Sequence, residues 1–411
     1  MVSAKILDLD IVNNRIVIGN LAITDIVEKY GSPLFAYRAE SIRRRISVIK
    51  DAIKYPRLQL SYAVRANPAL AILRLLYREG LNVSGASIGE VMAAFKACFP
   101  PHQILAVADL LTDSEMEFCY DRNVHLSFGS IDSIVRFGMR HRGKKIVLRI
   151  RPSEPENNEI IWNDIFGIKP DALDEAIKAV GEYGLGVFGI HVSDTMETND
   201  AKRLGGTLET IFTIAQRFEE LTYVNVGGGF GVALRAEDPE FDIYGFGEIL
   251  TKRMNTFAAK VRKPITLVAE PGRYLVSDSG YLFMKVIALR DHGKIKRAVV
   301  DASTYNLPDI RLQNRYYEIG NASNPEAEPV SIVISGCGTD GGDCFTPAPR
   351  EVADVRVGDI LAVRSTGTFA MGYTGFFNMR PRPAEIMLEE GRERLIRKRE
   401  TIDDLLRNQN W

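Results

Sequence analysis

The sequence predicts an α/β protein, a (β/α)8 barrel joined to a second, mostly antiparallel β domain. Three observations predict it. Between residues 58 and 272 short β-rich runs alternate with longer stretches of helical period, the pattern of repeated βα units around a parallel sheet. The count of such runs reaches eight, enough for a sheet to close on itself. After about residue 275 the long helical stretches stop and β-rich runs follow one another across turn residues.

The eight strands are expected to end near SYAV (61–64), LNVS (81–84), ILAVA (104–108), HLSF (125–128), IVLRI (146–150), FGIHV (188–192), YVNV (223–226) and TLVAE (266–270). Helix candidates lie between them. In PALAILRLLYREG, Pro68 suits a first turn and Gly80 a C-terminal stop. An open doubly wound sheet is the competing fold, but the strand count reaches eight without a clear reversal point or nucleotide fingerprint. The expected domains are therefore 35–275 for the barrel, and 1–34 plus 276–411 for the β-rich domain. The runs YLFMKVIALR, RAVVDA, SIVISG and DILAVRS supply that second domain, and RIVIG near the start packs with it. The tail GRERLIRKRETIDDLL has mixed charges at helical spacing and reads as a solvated C-terminal helix.

Composition narrows the function. With 52 Lys+Arg against 53 Asp+Glu, the formal net charge of −1 recruits neither nucleic acid nor an anionic membrane, so small-molecule chemistry is favoured. No basic, apolar and small-residue leader pattern opens the chain and no run approaches a membrane span, so a cytoplasmic protein is expected. Cys98, Cys119, Cys337 and Cys344 have neither zinc-site spacing nor disulfide density and are expected as thiols; no metal site is expected.

In a barrel the loops after the strands carry function. VNVGGGFG places Gly227, Gly228, Gly229 and Gly231 directly after the seventh strand, where bare backbone presents N–H donors to a phosphate; a tight turn alone would also account for them. The eighth strand ends in AEPGRYLV, which sets Glu270 at the rim with Gly272 and Arg273 beside it. Glu270 and Arg273 could be no more than a buried ion pair. A phosphate pocket with an acid across it, however, suits a cofactor with a basic ring nitrogen, and pyridoxal phosphate fits that description.

At this point a resemblance becomes specific. YAVRANP, FGI, GGGFG, EPGRYLV, FNMRPRPAE and LIRKRETIDDLL occur in the order found in diaminopimelate decarboxylases and the related ornithine and arginine decarboxylases, over nearly the whole chain. The resemblance implies an alanine-racemase-like barrel that binds pyridoxal phosphate, a β domain, and a homodimer with shared active sites. It implies Gly228, Gly229, Gly272 and Arg273 around the cofactor phosphate, and Glu270 on the protonated pyridine nitrogen. Ser87 and Arg149 occupy positions that face the cofactor in that family, although a loop cap and a structural ion pair explain them equally well.

Several positions depart from that pattern. The family lysine that forms the Schiff base is replaced by Arg65, whose guanidinium stays charged and does not form the same stable imine. Any bound cofactor is then held non-covalently. The family's Cys–Glu or Cys–Asp pair falls on Thr339 and Asp340, with Cys337 two residues away. The histidine that stacks on the ring falls on Ser193; His191 takes that role only in a shifted register and otherwise reads as a buried strand histidine. Phe369 and Phe377 stand where tyrosines are common, and Tyr373 is a candidate to compensate. Arg311 lies near the arginine that binds the substrate carboxylate, and a surface arginine explains it as well. The expectation is a divergent decarboxylase-like enzyme acting on an amino acid or derivative. The alternatives are a non-catalytic homologue that binds pyridoxal phosphate or another phosphorylated ligand in a regulatory role, and an enzyme of different chemistry in the same pocket.

Overall fold

The computed structural model describes residues 7–152, 166–192, 197–235, 237–293 and 295–410, and its internal contacts divide the chain into two units. The first unit, Arg44–Val232 with Pro239–Tyr274, holds the barrel. Its strands are β1 (Leu58–Ala63), β2 (Asn82–Gly85), β3 (Ile104–Val107), β4 (His125–Phe128), β5 (Lys145–Ile150), β6 (Gly186–Val192), β7 (Tyr223–Asn225) and β8 (Thr266–Ala269). Each pairs in parallel with its successor, and β8 pairs with β1 to close the ring. These runs are short, apolar and β-branched because helices cover their outer side while side chains fill the centre.

The intervening helices carry their own start and stop signals. In α1 (Leu70–Arg78), Ile72, Leu73, Leu75 and Leu76 form the buried stripe, and Gly80 beyond its end takes a φ of +78°. Pro68 is not in its first turn. Asn67 before the proline is extended, as a pre-proline residue must be, and its Oδ1 accepts the Ala69 N–H at 3.0 Å. The helix therefore begins two residues after Pro68. In α2 (Ile88–Lys96), Ser87 is the N-cap. The last two barrel helices are α3 (Ala201–Ala215) and α4 (Ile243–Val261), started by the Asp200 and Asp242 side chains.

The second unit comprises Met1–Arg43, Ala233–Asp238 and Leu275–Trp411. Its sheet runs in the order Arg350–Ala353, Pro329–Ser335, Ile295–Val300, Gly280–His292, Leu34–Arg38, Ala384–Glu389, Arg392–Arg397; Ile360–Arg364 also pairs with Gly280–His292. Most pairs are antiparallel; Ile295–Val300 with Pro329–Ser335 and Leu34–Arg38 with Ala384–Glu389 are parallel. Two expectations need correction. A barrel domain starting at residue 35 would take in all but the first residue of the strand Leu34–Arg38, but that strand pairs with Gly280–Phe283 and buries Leu34 and Ala36 with Tyr281, Phe283 and Ile386. The tail is mainly a strand: Arg392–Arg397 forms a hairpin with Ala384–Glu389 across Glu390 and Gly391, both at positive φ, and only Ile402–Leu406 is helical. Helical charge spacing was outweighed there by the turn signal and by an available sheet edge.

Candidate active site

Four polar side chains meet inside the barrel near its C-terminal rim. Glu270 follows β8 directly, His191 lies in β6, Asn225 ends β7 and Ser127 lies in β4. All are buried, with exposures of 7%, 1%, 0% and 0%. Glu270 Oε2 faces His191 Nε2 at 3.2 Å, and Oε1 accepts from Asn225 Nδ2 at 3.1 Å. On its other side His191 Nδ1 meets Ser127 Oγ at 2.9 Å. Burial alone would raise the Glu270 pKa, but the His191 ring, the Arg65 guanidinium and the Asn225 amide together bring it down to about 2. A fixed anion thus stands at the rim. Its partner is His191, whereas Arg273 pairs through Nε with Glu197 Oε2 at 2.9 Å, so Glu270 and Arg273 are not the simple ion pair that the sequence left open.

The glycine loop leans on that anion. Gly227 and Gly229 have φ of +75° and +83°, which side chains rarely adopt. The Gly227 N–H donates to Asn225 Oδ1 at 2.9 Å and its carbonyl accepts the Glu270 N–H at 2.7 Å. A Cβ on Gly228 would collide with the Glu270 backbone, and one on Gly272 would lie 3.3 Å from Ala63 and Ala66. Among the described residues no hydrogen bond engages the N–H groups of Gly228, Gly229 or Gly272. Such N–H donors, beside a backbone with no room for side chains, are able to receive an anion such as phosphate.

Arg65 is exposed in the 3-10 turn Val64–Ala66 that follows β1. It is close enough for its charge to act on Glu270, Glu90 and Arg149. Arg149 in β5 is 8% exposed, and among the described residues neither its Nε nor Asp109 Oδ2 has a hydrogen-bond partner. Burial pulls the Arg149 pKa below its ordinary value, against the pull of Glu270 and Asp109. A buried cation with an unused donor is costly unless something binds it. Ser87 is exposed and uses its Oγ to cap α2, accepting the Glu90 N–H at 3.2 Å, which is the loop-cap alternative. Ser193 lies outside the described residues.

The remaining candidates belong to the other unit. Arg311 Nη1 pairs with Asp340 Oδ2 at 2.6 Å, and Tyr305 donates to the same oxygen at 3.0 Å. Thr339 exchanges hydrogen bonds with Asn378, and Phe377 stacks on Tyr305 with ring centroids 4.6 Å apart. Arg311, Thr339 and Asp340 are thus neighbours, while half-exposed Tyr373 stacks on Phe369. Burial pushes the Cys337 thiol up to about 11, so it is a poor stand-in for a reactive thiol at position 339. Among the described residues no cluster of three or more His, Cys, Asp or Glu is arranged to hold a metal, and no helix is long and apolar enough to cross a membrane.

Sequence reasoning missed Asn225, Ser127, Asp109 and Glu90. Asn225 had a signal: an Asn two residues before a positive-φ glycine is an Asx turn. Ser127 had none, because its role depends on a partner 64 residues away.

Residues 39–277 match the family model described as pyridoxal-dependent decarboxylase, pyridoxal binding domain. The diaminopimelate decarboxylase of Methanothermobacter thermautotrophicus is 29% identical over 412 residues, covering 96% of each chain. A crystal structure of a diaminopimelate decarboxylase aligns with a TM-score of 0.87 at 25% identity, over 93% of this chain and 94% of that one. The enzyme from M. jannaschii in complex with L-lysine shares the fold, with a TM-score of 0.89 at 24% identity over 97% and 96% of the two chains.

Proposed function

Because the chain belongs to the pyridoxal-dependent decarboxylases, we propose that it is a decarboxylase-like enzyme acting on an amino acid or derivative, with its cofactor held non-covalently. The observation that carries this reading is the pairing of Glu270, a buried carboxylate kept ionised, with the N–H groups of Gly228, Gly229 and Gly272, which are unengaged among the described residues. Those are the two ends of a ring that bears a basic nitrogen and a phosphate. When bound, pyridoxal phosphate supplies an electron sink that is most effective with its ring nitrogen charged.

In this reading the glycine N–H groups and Arg273 bind phosphate, and Glu270 holds the proton at the ring nitrogen. Arg149 offers its unused Nε to an oxygen of the bound ligand. Arg65, a planar cation that cannot lose its proton and attack an aldehyde, is suited to a carboxylate through two parallel hydrogen bonds. The relatives' names support an amino-acid substrate, and the resemblance supports a homodimer; a one-subunit mass in sedimentation would reject the latter.

The test is an absorbance titration with pyridoxal phosphate, repeated on Arg65→Lys. The wild type is expected to bind without the spectral band of a lysine–cofactor bond, and the variant to gain that band. Carbon dioxide release from amino acids by either form separates an enzyme from a binding homologue. Absence of cofactor binding in both forms would remove the proposal.

A further inference from the structure

We propose that Asn225 and His191 are positioning residues that clamp the two oxygens of Glu270, and that position 225 requires an amide because it also ties Glu270 to the glycine loop. The inference rests on the reading that Glu270 meets the cofactor's ring nitrogen.

A carboxylate only accepts hydrogen bonds, so the group facing Glu270 Oε1 must be a donor. Asn225 Nδ2 is that donor, at 3.1 Å. The Gly227 N–H, also only a donor, takes the other end of the same side chain, Oδ1, at 2.9 Å. These two contacts leave one orientation for the amide and exclude a carboxylate at 225, which has nothing to donate to Glu270. The ring closes through the Glu270 N–H and the Gly227 carbonyl at 2.7 Å. Asn225, Gly227 and Glu270 therefore move as one piece, and that piece spans the anion that meets the ring nitrogen and the start of the phosphate cradle.

His191 takes the second oxygen. Its Nε2 meets Oε2 at 3.2 Å, and Ser127 Oγ holds Nδ1 at 2.9 Å, so the ring cannot swing away without losing both. Asn225 Nδ2 also lies 3.3 Å from the Tyr223 hydroxyl, a second neighbour that braces the amide. Every side chain in the chain from Ser127 to Glu270 is buried, so solvent does not readily replace a lost partner. Small isosteric changes should then alter charge without altering shape.

Asn225→Asp is the decisive variant. It sets one carboxylate against another in a buried site, where both cannot remain ionised. Infrared difference spectra of the cofactor-free protein at neutral pH should show a protonated buried carboxylic acid in Asn225→Asp and none in the wild type. Affinity for pyridoxal phosphate should fall roughly 10- to 100-fold, the loss of a charge-assisted hydrogen bond. The exchange variant Asn225→Asp with Glu270→Gln should lose the infrared band and keep wild-type thermal stability, yet not regain cofactor affinity. An exchange variant that does not recover the stability lost in Asn225→Asp would count against the clamp, since the pair would then not be complementary. If Asn225→Asp does not fold, His191→Leu removes the donor from the other oxygen, and the acid band is expected at a pH where the wild type shows none. No acid band, with affinity within about twofold of wild type, overturns the clamp. If Glu270→Gln alone leaves cofactor affinity unchanged, the reading of Glu270 falls, while the infrared result still decides the clamp.

Discussion

Substituting Gly228 by alanine tests whether the glycine loop is packed against the acid that it serves. The added Cβ would lie well inside contact distance of the Glu270 carbonyl oxygen, 3.2 Å from its carbon and 3.7 Å from Pro271 Cα. All three atoms are main chain, so no side chain can rotate away, and the loop must retreat by on the order of 1 Å to restore ordinary contact. That retreat strains the 2.7 Å bond from the Glu270 N–H to the Gly227 carbonyl. Overpacking costs about 1–3 kcal/mol and a lost backbone hydrogen bond about 1 kcal/mol, so a destabilisation of about 2–4 kcal/mol is expected. Urea unfolding measures it. The companion is Gly206→Ala in α3, where a Cβ meets nothing within 4 Å; there helix propensity alone predicts a gain of about 0.5–1 kcal/mol. Displaced donors should also weaken binding of pyridoxal phosphate by about tenfold or more. Equal stability of Gly228→Ala and wild type, with equal cofactor affinity, would refute both the packing and the cradle.

Three further outcomes are expected. Arg149→Met should leave the cofactor-free protein as stable as wild type or up to about 2 kcal/mol more so, since it replaces an incompletely partnered buried cation, while weakening cofactor binding; a clear loss of stability would instead make Arg149 a structural ion-pair member. Glu270 has a folded pKa near 2 against an ordinary 4.5, so its stabilising contribution is complete above about pH 4.5 and disappears as pH falls through about 2. Acid unfolding should therefore be steeper across that window in wild type than in Glu270→Gln, and parallel curves would contradict the assigned ionisation. Arg311→Ala removes a partly exposed partner of Asp340 and should change stability by less than about 1 kcal/mol; if Arg311 also binds a substrate carboxylate, substrate affinity falls with cofactor occupancy unchanged, and an unaltered affinity would leave Arg311 to Asp340 alone.

What the sequence revealed of this site followed how local each feature is. The barrel was legible because its strands are separate apolar runs whose closure is fixed by number and direction, and the glycine loop because positive φ and close approach leave few residue choices. Glu270 was legible from its place at the end of β8. Its clamp was not, because Ser127, His191 and Asn225 come from three strands and acquire meaning only when the barrel brings them together. The tail misled for a related reason: the charges in Arg392–Arg397 fit a helix, and only the hairpin partner Ala384–Glu389 shows that they lie along a strand.

The two halves of the rim should also respond differently to combined substitutions. Arg65 is exposed on a turn whose neighbouring residues on either side, Val64 and Ala66, are buried and anchor it without the Arg65 side chain. The residue at 65 can therefore change chemistry while the turn stays in place. Asn225 and Glu270 have no such freedom, since each supplies the hydrogen-bond complement of the other. In double-mutant cycles on stability, Arg65→Lys with Gly228→Ala should add to within about 0.5 kcal/mol, whereas Asn225→Asp with Glu270→Gln should couple by about 1–3 kcal/mol in the favourable direction. Strong coupling in the first cycle would mean that Arg65 helps hold the loop, and its presence would then be structural rather than a change in what the site binds.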